Sequence, residues 1–221
     1  MILEIPDFLT PAEVQRLQQI ASEATFVNGR LTNPHNTTKN NQQIDQAAPG
    51  YQESTQLLMQ ALVRHENFRD FAMPLKIAPP LMCKYDTGMS YGAHSDVAIV
   101  PLARLQTTLR SDLSATVFLQ EPDTYDGGEL VLHLESHKVP IKLPAGGMVV
   151  YPSTMLHEVA EVTRGQRLVA ITFIESRIID ERQRYIIYSL GEVSALEGLT
   201  MKPENRNRLD LVRHNLIRMW S

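Results

Sequence analysis

Residues 157–175 read HEVAEVTRGQRLVAITFIE, two largely apolar runs separated by Thr163-Arg164-Gly165. A three-residue loop with glycine in the left-handed position is a common hairpin connection, so this stretch predicts two paired β-strands. Pairing of Glu161 with Arg167 would place Arg167 on the same face as His157, about four residues further along the sheet. The hairpin therefore predicts an imidazole and a guanidinium that point into the same interior.

Short apolar runs of this kind, punctuated by Gly, Pro and Asp, fill the chain between Ile77 and Arg177. They predict seven strands, at Leu81–Tyr85, Ser114–Gln120, Glu129–Leu134, Val139–Leu143, Met148–Tyr151, His157–Val162 and Gln166–Glu175. Short strands with turn signals between them are typical of a β-sandwich or barrel. The fold is therefore predicted to be mainly β.

Helices are expected on both sides of these strands. After a short strand in residues 1–9, Thr10-Pro11-Ala12-Glu13 has the pattern of a capping box and predicts a helix that runs to about Ala24. A second helix is predicted over Ser54–His65, and the tail carries an apolar stripe at helical spacing, formed by Leu209, Val212, Leu216 and Trp220. We expect an N-terminal region over 1–75, a core domain over 76–177 and a helical cap over 178–221.

Composition narrows the class of protein. The 221 residues are 43% hydrophobic and 21% charged, as in ordinary globular domains, and the net charge of −4 gives no overall attraction to nucleic acid or to anionic membranes. The single cysteine, Cys83, excludes an intramolecular disulfide and favours a small buried apolar role. No apolar run reaches the ~20 residues of a membrane span, and the start lacks the pattern of a secretory signal. We therefore expect a cytoplasmic protein with no nucleic-acid or membrane partner.

Three residues form a candidate metal site. His94 and Asp96 would point to the same face of an extended segment, and His157 lies on a distant predicted strand. Two imidazoles and one carboxylate are the facial triad that binds non-haem Fe(II) and leaves three coordination positions open. His-x-Asp alone is weak evidence, but Arg167 beyond His157 adds a bidentate anchor for a carboxylate ligand.

The pattern Tyr85-x-x-Gly88-x-x-Tyr91-x-x-His94-x-Asp96, followed by His157 and Arg167, resembles the prolyl/lysyl-hydroxylase-like branch of the Fe(II)- and 2-oxoglutarate-dependent dioxygenases. Further stretches look like the bacterial PKHD-type hydroxylases of this branch. These stretches are Lys39–Gln43, Asp112–Thr116, Tyr125–Leu130 and Leu143–Gly146. The resemblance covers nearly the whole chain, including its helical tail.

The resemblance implies a double-stranded β-helix, or jelly-roll, core with N-terminal helices and a C-terminal helical cap. It implies that His94, Asp96 and His157 are the catalytic iron ligands, and that Arg167 and Tyr85 bind the distal carboxylate of 2-oxoglutarate. The expected cofactors are Fe(II), 2-oxoglutarate, O2 and L-ascorbate. The expected reaction hydroxylates an unactivated C–H bond and forms succinate and CO2 as co-products.

The substrate stays open at this point. It is a prolyl or lysyl side chain of a protein, as the family name suggests, or a small metabolite connected with iron uptake. The alternative function is a cupin-like jelly roll that binds a metal and a carboxylate as a sensor without oxidation. A catalytically inactive scaffold is disfavoured because all three ligands and Arg167 are present. A homo-oligomer could form through the amphipathic tail.

Other polar residues have weaker patterns. Lys39–Gln43 is rich in hydrogen-bonding side chains and is interpreted as a candidate substrate lid. Tyr91 either lines the substrate entrance or packs, and Arg110 and Asp112 either bind substrate or pair with each other. Surface or structural roles are expected for His35, His133 and His137.

Overall fold

Strands make up most of the computed structural model, which describes residues 1–33, 36–102 and 106–221. In chain order they are β1 (Leu3–Ile5), β2 (Phe26–Asn28), β3 (Lys39–Asn40), β4 (Gln42–Ile44), β5 (Pro74–Ile77), β6 (Leu81–Asp86), β7 (Ser90–His94), β8 (Ile99–Leu102), β9 (Thr107–Arg110), β10 (Leu113–Phe118), β11 (Asp126–Gly127), β12 (Leu130–Leu134), β13 (His137–Ile141), β14 (Met148–Pro152), β15 (His157–Val159), β16 (Val162–Arg164) and β17 (Gln166–Ser176). All seven predicted strands are present, with boundaries that differ by a few residues.

Two antiparallel sheets face each other. The larger sheet has the order β1-β14-β10-β17-β6-β4-β2, with β5 added beside β17, and the smaller sheet has the order β13-β12-β15-β7-β3. Two short ribbons, β8–β9 and β11–β16, complete the described strands. A cluster that includes Leu132 and Val159 from the smaller sheet and Val149 and Val169 from the larger one fills the space between them. This is the jelly-roll arrangement that the resemblance implied.

The helices are α1 (Pro11–Glu23), α2 (Pro49–Arg64), α3 (Glu66–Ala72), α4 (Glu181–Glu197) and α5 (Pro203–Trp220). The predicted capping box begins α1: the Thr10 backbone N–H donates to Glu13 Oε2 at 2.8 Å, and the Glu13 N–H donates to Thr10 Oγ1 at 3.3 Å. The first three helices cover the outer face of the larger sheet. None of the helices in the described parts of the chain combines the length and hydropathy that a membrane span needs.

The long strand β17 divides the interior into two layers because its side chains alternate. Leu168 and Ala170 pack towards the helices, whereas Val169 packs between the two sheets. Arg167 has the same parity as Val169 and is 1% exposed. The alternation therefore directs a buried guanidinium into the space between the sheets. Cys83 lies in the same layer, where burial raises the pKa of its thiol to about 11, as its predicted apolar role requires.

The predicted hairpin between His157 and Arg167 is wrong. β15 pairs with β12 and β7 in the smaller sheet, whereas β17 pairs with β10 and β6 in the larger one. Gly165 does have the predicted left-handed conformation, with φ of 74°, but its turn carries the chain across to the other sheet. The two side chains therefore approach each other from opposite sheets and not along one face.

The predicted lid over Lys39–Gln43 is also wrong. β3 pairs with β7 and β4 pairs with β6, so this segment is held in both sheets. Lys39, Asn41 and Gln43 are all buried. Polar side chains here form part of the interior wall, whereas the sequence suggested a mobile cover.

Three further expectations have no structural test. The division at residues 75 and 177 stays a prediction, and His35 lies outside the described residues. The tail does form two helices, and α5 has no buried residue among those described. Association through the tail nonetheless stays a prediction.

Candidate metal centre

The smaller sheet brings together the three predicted metal residues. His94 ends β7 and pairs in register with His157 at the start of β15, which places the two ring centroids 4.3 Å apart. Asp96 follows two residues beyond His94, with Oδ1 4.0 Å from His94 Nε2 and Oδ2 3.7 Å from His157 Nε2. One donor atom from each residue lies within 4.8 Å of the others.

Both imidazoles are oriented by backbone carbonyls. His94 Nδ1 lies 2.8 Å from Gly92 O, and His157 Nδ1 lies 2.9 Å from Met155 O. A carbonyl oxygen only accepts hydrogen bonds, so Nδ1 carries the proton in each ring and Nε2 keeps its lone pair. Burial, and then the neighbouring His157, lower the pKa of His94 and favour the neutral form that binds a metal.

The larger sheet contributes the second charged group of the site. Arg167 Cζ lies 4.9 Å from the ring centroid of Tyr85 and 5.7 Å from that of Phe118, and the guanidinium counteracts the rise that burial causes in the pKa of the neighbouring Tyr125. Its Nε has no hydrogen-bond partner, and no acidic side chain within the described ranges forms an ion pair with it. A buried guanidinium without an anion is costly, so this geometry favours an anionic ligand supplied from outside the chain.

Tyr85 lies beside Arg167 on the neighbouring strand, with which it is in register. Burial raises the pKa of Tyr85 well above its usual range, while the charge of Arg167 acts in the opposite direction. The hydroxyl is therefore neutral and is available to donate a hydrogen bond to a carboxylate.

One cavity joins the two ends of the site. It is lined by the three metal residues, by Tyr85 and Arg167, and by further polar residues from both sheets: Lys39, Asn41, Ser114, Thr116, Tyr151 and Thr172. The N,N,O donor set fits Fe(II), and the guanidinium fits a carboxylate in a bidentate manner. The residues present thus fit a metal at one end of the cavity and a carboxylate at the other.

Several residues of this cavity were missed by sequence reasoning. Ser114 donates to Asp96 Oδ2 at 2.6 Å, and Asn41 lines the cavity together with Tyr85. Lys39 is buried beside the metal residues, and burial lowers its pKa. The only sequence signal was polarity inside stretches that otherwise form sheet.

The remaining candidates are resolved by their contacts. Tyr91 both packs and lines the site, because its ring stacks on His94 with centroids 3.7 Å apart. Arg110 pairs with Asp112 at 2.7 Å, which indicates a structural role. His133 contacts Glu158 at 3.4 Å, away from the metal residues.

A wider groove of about 440 Å³ opens next to the metal residues. Its walls are largely apolar and come from the segments before β6, around the β8 strand and in β17: Ala78, Pro79, Leu81, Val97, Val100, Pro101, Leu102, Ile171 and Phe173. This volume lies within the range of small-molecule sites. The groove shares Lys39, Tyr91, His94 and Asp96 with the first cavity, so a molecule bound there reaches the metal position.

Comparisons with known proteins agree with this geometry. The sequence model of the 2OG-Fe(II) oxygenase superfamily matches residues 81–175. A PKHD-type hydroxylase of Sphingopyxis alaskensis is 47% identical over 94% of this chain and 94% of its own length. Another, from Gluconacetobacter diazotrophicus, is 42% identical over 100% of this chain and 99% of its own length.

Solved structures support the fold. A Pseudomonas putida prolyl-4-hydroxylase matches with a TM-score of 0.56 at 20% identity, over 79% of this chain and 92% of that one. A Trichoplax adhaerens prolyl hydroxylase, solved with a hypoxia-inducible-factor peptide, matches with a TM-score of 0.57 at 16% identity, over 84% and 86%. The superfamily comprises oxidoreductases that use Fe(II), 2-oxoglutarate and O2. On the similarity of its full length to curated relatives, this chain belongs to the PKHD-type hydroxylases of the 2OG-Fe(II) oxygenase superfamily.

Proposed function

We propose that this enzyme hydroxylates an unactivated C–H bond and releases succinate and CO2, with His94, Asp96 and His157 as iron ligands. The observation that carries the proposal is the buried Arg167, which has no acidic partner among the described residues and shares one cavity with those ligands. Tyr85 and Arg167 would bind the distal carboxylate of 2-oxoglutarate through charge-assisted hydrogen bonds.

The residues of the chain bind and orient, and the cofactors carry the oxidation. When bound, Fe(II) together with 2-oxoglutarate and O2 supplies the oxidising power for the reaction. The two Nδ1–H groups keep the Nε2 atoms directed at the metal position. Apolar side chains from both sheets, including Leu130, Val159 and Ile171, line the cavity and limit the entry of water.

We further propose that L-ascorbate sustains activity by returning iron to the ferrous state after turnover without substrate. The groove gives a reductant a route to the metal residues, since it is lined by His94 and Asp96. Ascorbate should therefore slow the loss of activity when substrate is absent. It should add little while substrate is saturating.

The groove indicates which chemical group is hydroxylated. Apart from Asp96, its described lining has no carboxylate, and Lys39 supplies a buried ammonium close to the metal residues. A lysyl ammonium would be repelled by Lys39, and the carboxylate of Asp96 is already assigned to the metal in this proposal. We therefore favour an uncharged target, such as a prolyl ring in a peptide, or a small metabolite with an apolar or anionic group beside the reacting carbon.

The function is tested by reconstitution with Fe(II) and 2-oxoglutarate in the absence of O2. We expect a weak visible charge-transfer band, which should be missing in Arg167→Met at limiting 2-oxoglutarate. Admission of O2 should then convert 2-oxoglutarate to succinate. A band with no O2-dependent succinate would instead support the non-oxidative sensor, and absence of both would reject the proposed site.

A further inference from the structure

A chain of buried serine hydroxyls ends on Asp96. Ser111 Oγ donates to Ser153 Oγ at 2.8 Å, the Oγ atoms of Ser153 and Ser114 lie 2.7 Å apart, and Ser114 Oγ donates to Asp96 Oδ2 at 2.6 Å. The three serines are exposed by 6%, 2% and 3% in the order Ser111, Ser153, Ser114. Buried hydroxyls cost free energy unless they are bonded, so apolar packing alone does not account for a row of three.

The direction of these hydrogen bonds follows from the chemistry of the groups. An ionised carboxylate only accepts, so the Ser114 hydroxyl proton must point at Asp96. Each hydroxyl has one proton, so Ser114 accepts from Ser153 and Ser153 accepts from Ser111. Three O–H dipoles thus align head to tail towards the carboxylate, and bonds in such a row strengthen one another.

The chain also fixes Asp96 to the opposite sheet. Ser114 lies on β10 and Ser153 directly follows β14, both in the larger sheet, whereas Asp96 lies on the segment just beyond β7 of the smaller one. The backbone supports the same link, because the Asp96 N–H donates to Ser153 O at 3.1 Å. Asp96 has no strand of its own to orient it, in contrast to His94 and His157, so these contacts supply the orientation.

We propose that Ser114, backed by Ser153 and Ser111, is the positioning residue that turns Asp96 Oδ1 towards the metal. The inference rests on the proposed role of Asp96 as an iron ligand. Groups that hydrogen-bond to metal ligands commonly change metal affinity by about 10–100-fold when they are removed. Ser114 therefore affects the metal although it does not bind it.

The test is titration of the full-length, metal-free enzyme with Co(II) in the absence of O2, at one fixed pH. Ser114→Ala should raise the Co(II) dissociation constant by about 10–100-fold and alter the ligand-field spectrum of the bound ion. Ser54→Ala is the matched control, because Ser54 Oγ is equally buried and donates to Tyr51 O on α2, away from the metal residues. It should bind Co(II) like the wild type, and thermal unfolding shows whether each variant is folded.

Two further variants keep the inference open to contradiction if Ser114→Ala does not fold. Ser153→Ala breaks the chain in the middle and should weaken Co(II) binding more than Ser111→Ala, which removes only the far end. The inference would be overturned if folded Ser114→Ala bound Co(II) as tightly as Ser54→Ala does. The same holds if Ser153→Ala and Ser111→Ala both bound it as tightly as Ser54→Ala. Either result would leave the proposed function intact. Wild-type enzyme that binds no Co(II) would overturn both.

Discussion

The two ends of the cavity are built on different physical principles. At the metal end, each proposed ligand has its second polar atom engaged by the protein: His94 Nδ1 and His157 Nδ1 donate to carbonyls, and Asp96 Oδ2 accepts from Ser114. At the other end, Arg167 packs between aromatic rings with Nε unpaired in the described chain. The side chains at the metal end are therefore oriented before any metal binds. The arginine end instead carries a buried charge that favours binding of an anionic ligand.

The largest effect is expected from breaking the metal end with His94→Ala. Loss of one of three protein ligands should abolish Co(II) binding and reduce succinate formation to the level without enzyme. A succinate assay and a Co(II) titration measure the two. His133→Ala is the control, since His133 contacts Glu158 away from the metal residues and its loss should leave both unchanged. Full activity of His94→Ala would remove His94 from the proposed ligand set.

At the other end, Arg167→Met should weaken the binding of 2-oxoglutarate without affecting the binding of metal. Binding of 2-oxoglutarate should weaken by about 2–5 kcal/mol, because a buried charged partner is lost, while Co(II) binding persists. Without ligand, this variant should melt no lower than the wild type, because an unpaired buried charge has been removed. Calorimetry and thermal unfolding provide the readouts.

Arg164→Met is the matched control for that experiment. Arg164 lies three residues earlier, is largely exposed and pairs with Asp126, so its loss should not affect 2-oxoglutarate binding. Tight 2-oxoglutarate binding by Arg167→Met would show that the arginine end is not a carboxylate site.

Lowering the pH should weaken Co(II) binding at the metal end, with a smaller effect than either substitution. Burial lowers the pKa of His94 below its ordinary 6.5, so the neutral ligand persists at mildly acidic pH. Co(II) affinity should fall as pH drops through the lowered pKa of His94, because protons then compete for its Nε2. Affinity measured against pH checks this, and a decline that begins well above 6.5 would contradict it.

The smallest effect is expected from Gly29→Ala, which acts on the arginine end indirectly, through Asn41. A Cβ at Gly29 would overlap Asn41 Oδ1, so Asn41, which lines the cavity together with Tyr85 and Arg167, would have to shift. The KM for 2-oxoglutarate should rise by roughly 3–10-fold, the equivalent of one hydrogen bond, with Co(II) affinity unchanged. Gly191→Ala in α4 is the control, because its Cβ would contact only the flexible Arg213. An unchanged KM would show that Asn41 has no part in binding 2-oxoglutarate.

The sequence predicted the parts of this site that depend on local pattern. Short apolar runs punctuated by Gly, Pro and Asp predicted the main strands, and the capping box at Thr10 predicted α1. His94-x-Asp96 with His157 and Arg167 indicated a metal and a carboxylate. The hairpin failed because a turn signal such as Gly165 shows that the chain bends but not which sheet it enters. Strand partners are set by long-range packing, which local pattern does not encode.

The polar wall of the cavity was hidden for a different reason. Lys39–Gln43 has the composition of a solvent-facing loop, yet Lys39 and Asn41 are buried and line a polar cavity. Ser114 lies within β10, where every residue is buried, so alternation gives no sign of which face it serves. The wall of a polar cavity has the composition of a loop and the burial of a core. The sequence alone therefore does not distinguish such a wall from a surface loop.

His94 and His157 lie in one sheet and Arg167 lies in the other, and this placement has a mechanical consequence. If 2-oxoglutarate binds as proposed, it would connect the two layers of the sandwich, which are about 10 Å apart. Metal and diacid together should then raise the free energy of unfolding by more than the sum of their separate effects, since neither alone connects the two sheets. The distance between the two ends would also select for the length of the diacid, so diacids one methylene shorter or longer should stabilise the protein less.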